Sequence, residues 1–335
     1  MPRARFASIP LAREVRVPTS KPTSVAYLAP VVLATLVVFS ALPASLVAET
    51  PPKAVRVGTV ADLEGGTGGL TVTPDGTVYS SEFGNWLGAL PEGESRGGTR
   101  VFRITPRGEV SVLASVFQGA SGSAVTADGV FLQANIGGRT ISRVDLSTGE
   151  VGTLVASGLR NPVGVEVDAD GTVWVADCGG QSVVRVVDGK ASSFASGDLF
   201  KCPNGITRAA DGNLYVANFF DGSVLRIGAG GQVSRLAQVP GGNNGHLIAG
   251  HGALWVVARA AHQIYRVSLD GEVTLVAGSG EQGGRDGAPE DAQFSLPNDL
   301  GWSPDGKVLY VNEVADHTSS GQKLYPTRLR RIVFE

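Results

Sequence analysis

CPNGITRAADGNLYVANFFDGSVLRI, residues 202–227, and NPVGVEVDADGTVWVADCGGQSVVRV, residues 161–186, read alike position by position. In each, an Asp-Gly pair precedes a short apolar strand, and Asp-Gly supplies the positive φ angles that a tight hairpin needs. A second marker, an apolar residue, any residue, Arg and another apolar residue, closes each stretch at Arg226 and Arg185. One unit therefore reads strand, hairpin, strand, loop, strand with Arg, Gly-rich turn, strand.

Working outward, the turn marker recurs at Asp75, Asp128, Asp170, Asp211, His251 and Asp305, at intervals of 53, 42, 41, 40 and 54 residues. The Arg marker follows each one, at Arg103, Arg143, Arg185, Arg226, Arg266 and Arg331. Two independent markers that agree six times describe six four-stranded units, which predicts an all-β fold, a six-bladed β-propeller. The last unit stops at Arg331–Phe334 and lacks a fourth strand, whereas AVRVGTVADL near residue 54 matches fourth strands such as GEVTLVAG. The N-terminal strand is therefore expected to complete the last blade and remove an open sheet edge.

The composition agrees with this: 46 Gly and 18 Pro against one Met favour short strands and turns over long helices. Residues 1–48 stand apart. Arg3, Arg5, Arg13, Arg16 and Lys21 precede an apolar run from Val25 to Leu42, the pattern of an export signal or an uncleaved N-terminal membrane anchor. The propeller is then assigned to residues 49–335 and the location to the periplasm or the exterior. Without residues 1–48 the charge is 23 − 30 = −7, which argues against a nucleic-acid partner. The only membrane contact expected is through the N-terminal segment, if it stays uncleaved. Cys178 and Cys202 are the only cysteines, and in an exported chain they are expected to form a disulfide.

The two quoted stretches resemble NHL repeats and the senescence-marker-protein/gluconolactonase superfamily of six-bladed propellers, over about residues 54–335. In such a ring the loops between second and third strands open on the same face as the interblade connections. Two of these loops are long here, roughly 82–100 and 313–328, and a Gly-rich connection at 278–296 enters the same quadrant. Loops clustered on a rigid scaffold commonly carry function.

Asn204, Asn244 and Asn298 each stand seven residues before a repeat turn, where inner strands begin. The resemblance to gluconolactonases and paraoxonases implies that these asparagines, with Asp299, hold a divalent cation at the channel mouth, Ca²⁺ foremost because it takes six to eight oxygen ligands. The family's N-terminal Glu is missing at Thr67 or Gly68, so Glu64, Glu82 or Glu313 would have to supply charge. Local capping of turns between blades is the alternative role for the asparagines. His246 and His317 are candidate bases near the mouth, with Glu82 and Glu313 as candidate catalytic carboxylates. Asp177 and the marker arginines read as scaffold, as do His251 and His262. No G-x-S-x-G, H-E-x-x-H or P-loop motif is present.

Two function classes follow. One is a metal-dependent hydrolase of a lactone or related ester, the ion polarising the carbonyl. The other is a non-enzymatic scaffold that binds a peptide, glycan or protein. A streptogramin-lyase-like enzyme is a further alternative, one that calls for another blade and a His/Glu constellation not found in the sequence.

Overall fold

The computed structural model describes residues 51–335; the export or anchor segment assigned to residues 1–48 lies outside the described residues. Twenty-four strands form six four-stranded antiparallel sheets, each running from an inner to an outer strand. The inner strands are Thr67–Val72, Ala120–Val125, Pro162–Val167, Pro203–Arg208, Asn244–Gly250 and Asp299–Trp302, and each packs against the next around a central channel. Among the described residues the only helical element is a 3₁₀ turn at Arg259–Ala261, and no helix there is long and apolar enough to cross a membrane.

The ring closes as the sequence predicts. Ala54–Leu63 pairs antiparallel with Thr327–Phe334, from Ala54 opposite Phe334 to Leu63 opposite Thr327, as the outer strand of blade six. Both faces of each blade are covered by its neighbours, which is why second strands such as Val173–Asp177 and Leu214–Asn218 are buried along their whole length. Between blades five and six, Trp255, Trp302 and Phe334 form a cluster with ring centroids 5.0 to 5.2 Å apart.

One glycine position sets how closely the inner strands approach. A Cβ on Gly164 would stand 2.4 Å from the Asn204 carbonyl oxygen, and one on Gly205 would stand 2.6 Å from the His246 Cα. Gly68, Gly122 and Gly245 meet the same constraint in their blades. In blades one to four the residue just before this glycine, Thr67, Ser121, Val163 or Asn204, lines the channel; in blade five Asn244 does not, and in blade six Asn298 lines it with Asp299 in place of the glycine.

The positions read as scaffold behave as scaffold. Each marker Arg lies across from the second strand, Arg185 standing over the Trp174 ring at 5.8 Å. Asp177 accepts the Arg160 and Asn161 backbone N–H groups at 2.9 and 2.6 Å and so fixes the connection into its blade. Asn218 accepts the Lys201 N–H at 3.0 Å in the same way. His251 contacts the Gly306 carbonyl, and His262 accepts the Leu296 N–H.

Candidate functional site

Two rings of equivalent positions build the mouth of the channel. The floor comes from inner-strand starts, with Thr67, Ser121, Val163, Asn204 and Asn298 lining one cavity of about 400 Å³. The wall comes from the residue that follows the second strand in blades one to five: Phe83, Ile136, Cys178, Phe219 and Arg259. The long loops complete it with Leu87, Gln322 and Leu324. They are joined to each other through the Leu87 N–H to the Gln322 carbonyl and the Leu324 N–H to the Asn85 carbonyl. The loops of units one and six thus meet over one mouth, as their lengths suggested. A mostly apolar pocket with a few convergent polar groups is the usual form of a small-molecule site.

The disulfide expected from the sequence is formed between Cys178 and Cys202, with the Cα atoms 4.0 Å apart, and both residues line this cavity. It ties the wall of blade three to the connection that enters blade four, two residues before Asn204.

His246 sits at the neck. It is the one residue that lines both this cavity and a second, more polar one of about 300 Å³ at the other end of the channel, where Thr71, Ser123, Glu166 and Thr207 lie. Its Nδ1 is 3.4 Å from Asp299 Oδ2. Asp299 Oδ2 also accepts the Leu70 N–H at 2.8 Å, and Oδ1 accepts the Leu300 N–H at 2.7 Å. Burial holds the imidazole down at about 4, so the ring is neutral near pH 7, and it raises the Asp299 carboxyl, while the Leu70 and Leu300 N–H groups on the carboxyl oxygens work in the opposite direction.

The candidate ligands and bases separate into those that share the cavity and those that do not. Asn204 and Asn298 line it, with their Nδ2 atoms donating to the Asn244 and Gly68 carbonyls at 3.1 and 2.8 Å. Asn244 turns into the blade, its Nδ2 toward the Ser223 carbonyl and its Oδ1 buried without a partner. Glu64 is exposed. Glu82 is engaged by Arg100 at 2.8 Å. Glu313 is fully buried against Arg330 at 2.6 Å and accepts the Ser295 N–H. His317 lies beside Gly284 and Arg328, outside both cavities.

This donor set does not fit a resident divalent cation. The carboxamides of Asn204, Asn298 and Gln322, the hydroxyls of Thr67 and Ser121 and a neutral imidazole line the cavity, and no carboxylate among the described residues joins them, whereas Ca²⁺ sites rely on carboxylate oxygens. Among the described residues, no group of three His, Cys, Asp or Glu side chains has metal-binding geometry.

Sequence reasoning passed over Arg259, which is 3 % exposed and lines the cavity. The signal was present in the repeat register: the residue after TVYSSE, VFLQAN, TVWVAD and NLYVAN is Phe83, Ile136, Cys178 and Phe219, and after ALWVVA it is Arg259.

No family model and no curated protein sequence matches the chain. Solved structures do. A gluconolactonase from Xanthomonas campestris is similar with a TM-score of 0.62 and 19 % identity, over 85 % of this chain and 95 % of that one. A virginiamycin B lyase from Staphylococcus aureus is similar with a TM-score of 0.58 and 15 % identity, over 83 % and 98 %. An auxiliary nutrient binding protein from Bacteroides thetaiotaomicron gives 0.66 and 15 %, over 84 % and 77 %. These likenesses establish the propeller fold that the repeats resemble; function has to come from the site.

Proposed function

We propose that the chain hydrolyses a small ester or lactone in the disulfide-lined cavity, with His246 as the base that takes a proton from the attacking water. The observation that carries this is the His246–Asp299 pair at the neck of the channel, 3.4 Å apart, at the floor of an apolar pocket. Asp299 Oδ2 already accepts a backbone N–H, so the fitting tautomer donates Nδ1–H to it and leaves the Nε2 lone pair free. Burial keeps the ring unprotonated above about pH 4, so the base is available across the neutral range. As the ring takes up a proton, its new charge lies beside a carboxyl whose oxygens are held by two backbone N–H groups, a setting that favours the carboxylate.

The rest of the site has matching roles. The wall holds the apolar body of the substrate and excludes water, which strengthens polar interactions at the floor. The Asn204 and Asn298 Nδ2 atoms each commit one N–H to a carbonyl and keep a second for the oxygen that gains charge in the transition state. The propeller likeness to a gluconolactonase supports an enzyme of this class.

The test is hydrolysis of 4-nitrophenyl acetate and of dihydrocoumarin by the purified full chain, before and after treatment with a chelator. Turnover should survive chelation and fall by about a hundredfold or more in folded His246→Asn, the usual size of a general-base contribution. Failure to cleave either compound contradicts the proposal. If apolar ligands still bind, the chain is a binding scaffold, the class that its likeness to a nutrient binding protein supports.

A further inference from the structure

The wall register of the cavity is apolar in four blades and cationic in the fifth, and the fifth has no counter-charge. Arg259 begins the 3₁₀ turn Arg259–Ala261, its backbone N–H bonded to the Asn243 carbonyl at 3.2 Å. Its Nη1 donates to the Leu296 carbonyl at 2.8 Å, whereas Nη2 is buried and has no hydrogen-bond partner. Among the described residues no carboxylate stands against it: burial is the only influence on its ionisation, and it lowers the guanidinium to about 10, so the charge persists at neutral pH.

An unpaired buried cation costs several kcal/mol in desolvation, and an unmade charged hydrogen bond adds to that. Capping the Leu296 carbonyl accounts for one of five N–H groups and does not require a positive charge. The neighbouring blades show the cheaper solution at this position, an apolar side chain. The Arg259 side chain lines the cavity, whose remaining wall positions are apolar.

We infer that Arg259 determines specificity: it receives the carboxylate of a small molecule whose apolar body packs against Phe83, Ile136 and Phe219. Guanidinium and carboxylate match in charge and shape, and the low-dielectric walls strengthen the pair. The inference rests on the cavity assigned to hydrolysis and narrows its substrates to esters or lactones that bear an acid group. Among the described residues Arg259 is the one cation that lines the cavity, and it balances the single charge of a carboxylate but not the two of a phosphate monoester.

Isothermal titration of the full chain with 4-phenylbutyrate and with 4-phenylbutan-1-ol tests this, because the two share an apolar body and differ in the acid. The acid should bind about tenfold or more tightly than the alcohol, in line with one charged hydrogen bond. Arg259→Met should erase the preference while it keeps the alcohol, and Arg259→Lys should retain part of it. Equal affinities in the wild type, a preference that survives in Arg259→Met, or no binding of either probe would overturn the inference. No bond is cleaved in this titration. A chain that never hydrolyses an ester can still show the preference, and one that hydrolyses neutral esters without it keeps the hydrolase proposal and loses this one.

Discussion

Replacing Cys178 and Cys202 together by Ala should destabilise the propeller without dismantling its cavity. The two residues are 24 apart in sequence, and closing a loop of that length in the unfolded chain is worth about 3.5 kcal/mol at 25 °C by the chain-entropy relation. Alanine avoids burying new hydroxyl groups at a position where Cys202 is 7 % exposed. The folded side of the balance changes little, because the segment has bonds of its own. Phe219 and Phe220 donate to the Cys202 and Lys201 carbonyls at 2.9 and 3.1 Å, Cys202 N–H donates to Gln181, and Cys178 N–H donates to the Asn161 carbonyl. For a domain of this size, about 2–3 °C is lost per kcal/mol, so the melting midpoint should fall by about 8 °C. Circular dichroism melts of oxidised wild type and the double variant provide the comparison. A midpoint within a degree or two of wild type would refute the entropic argument, and loss of the cavity's ligands at room temperature would refute the claim that local bonds hold the segment.

Three further outcomes follow from named contacts. Gly205→Ala should cost about 2–3 kcal/mol in urea denaturation, since its Cβ would stand 2.6 Å from the His246 Cα and the Leu247 N; an unchanged midpoint would show that the inner strands can part freely. Arg330→Met leaves the Glu313 carboxylate buried without its partner and should cost about 3–5 kcal/mol, a loss that adding Glu313→Gln should partly reverse; equal stability of single and double variants would contradict this. Burial in the channel raises Glu166 to about 7, so between about pH 4.5 and 7 the folded chain keeps a proton that the unfolded chain has lost, and stability falls as pH rises through that window. Glu166→Gln should therefore match wild type near pH 4 and exceed it by about 2 kcal/mol at pH 8, less than the full shift implies because the side chain is only half-buried toward the lumen. A pH-independent difference between the two would contradict the assignment.

The repeat made the ring legible before any coordinates, because hairpin chemistry and the Arg marker are local signals that recur. Closure by Ala54–Leu63 was legible for a related reason: a missing fourth strand at one end and a spare one at the other leave one economical pairing. The disulfide followed from having only two cysteines, both opening onto one face. The site was only half legible. Asn204, Asn298 and His246 were found from the start of the inner strands, but which side chains turn to the lumen depends on how blades pack, and Asn244 turns away at the same register. Glu82 and Glu313 looked available because sequence does not show that Arg100 and Arg330 engage them. Arg259 was missed because ARAAH departs from the repeat exactly where the chain forms its 3₁₀ turn, and an isolated Arg in a loop carries no sign of burial.

The most direct test of the account is a crystal structure of the chain grown with calcium and 4-phenylbutyrate both present. The carboxylate should lie against the Arg259 guanidinium and the phenyl ring between Phe83, Ile136 and Phe219, with no ion coordinated by Asn204 and Asn298. A calcium ion held by those asparagines, or the ligand seated at the Glu166 end of the channel, would contradict it.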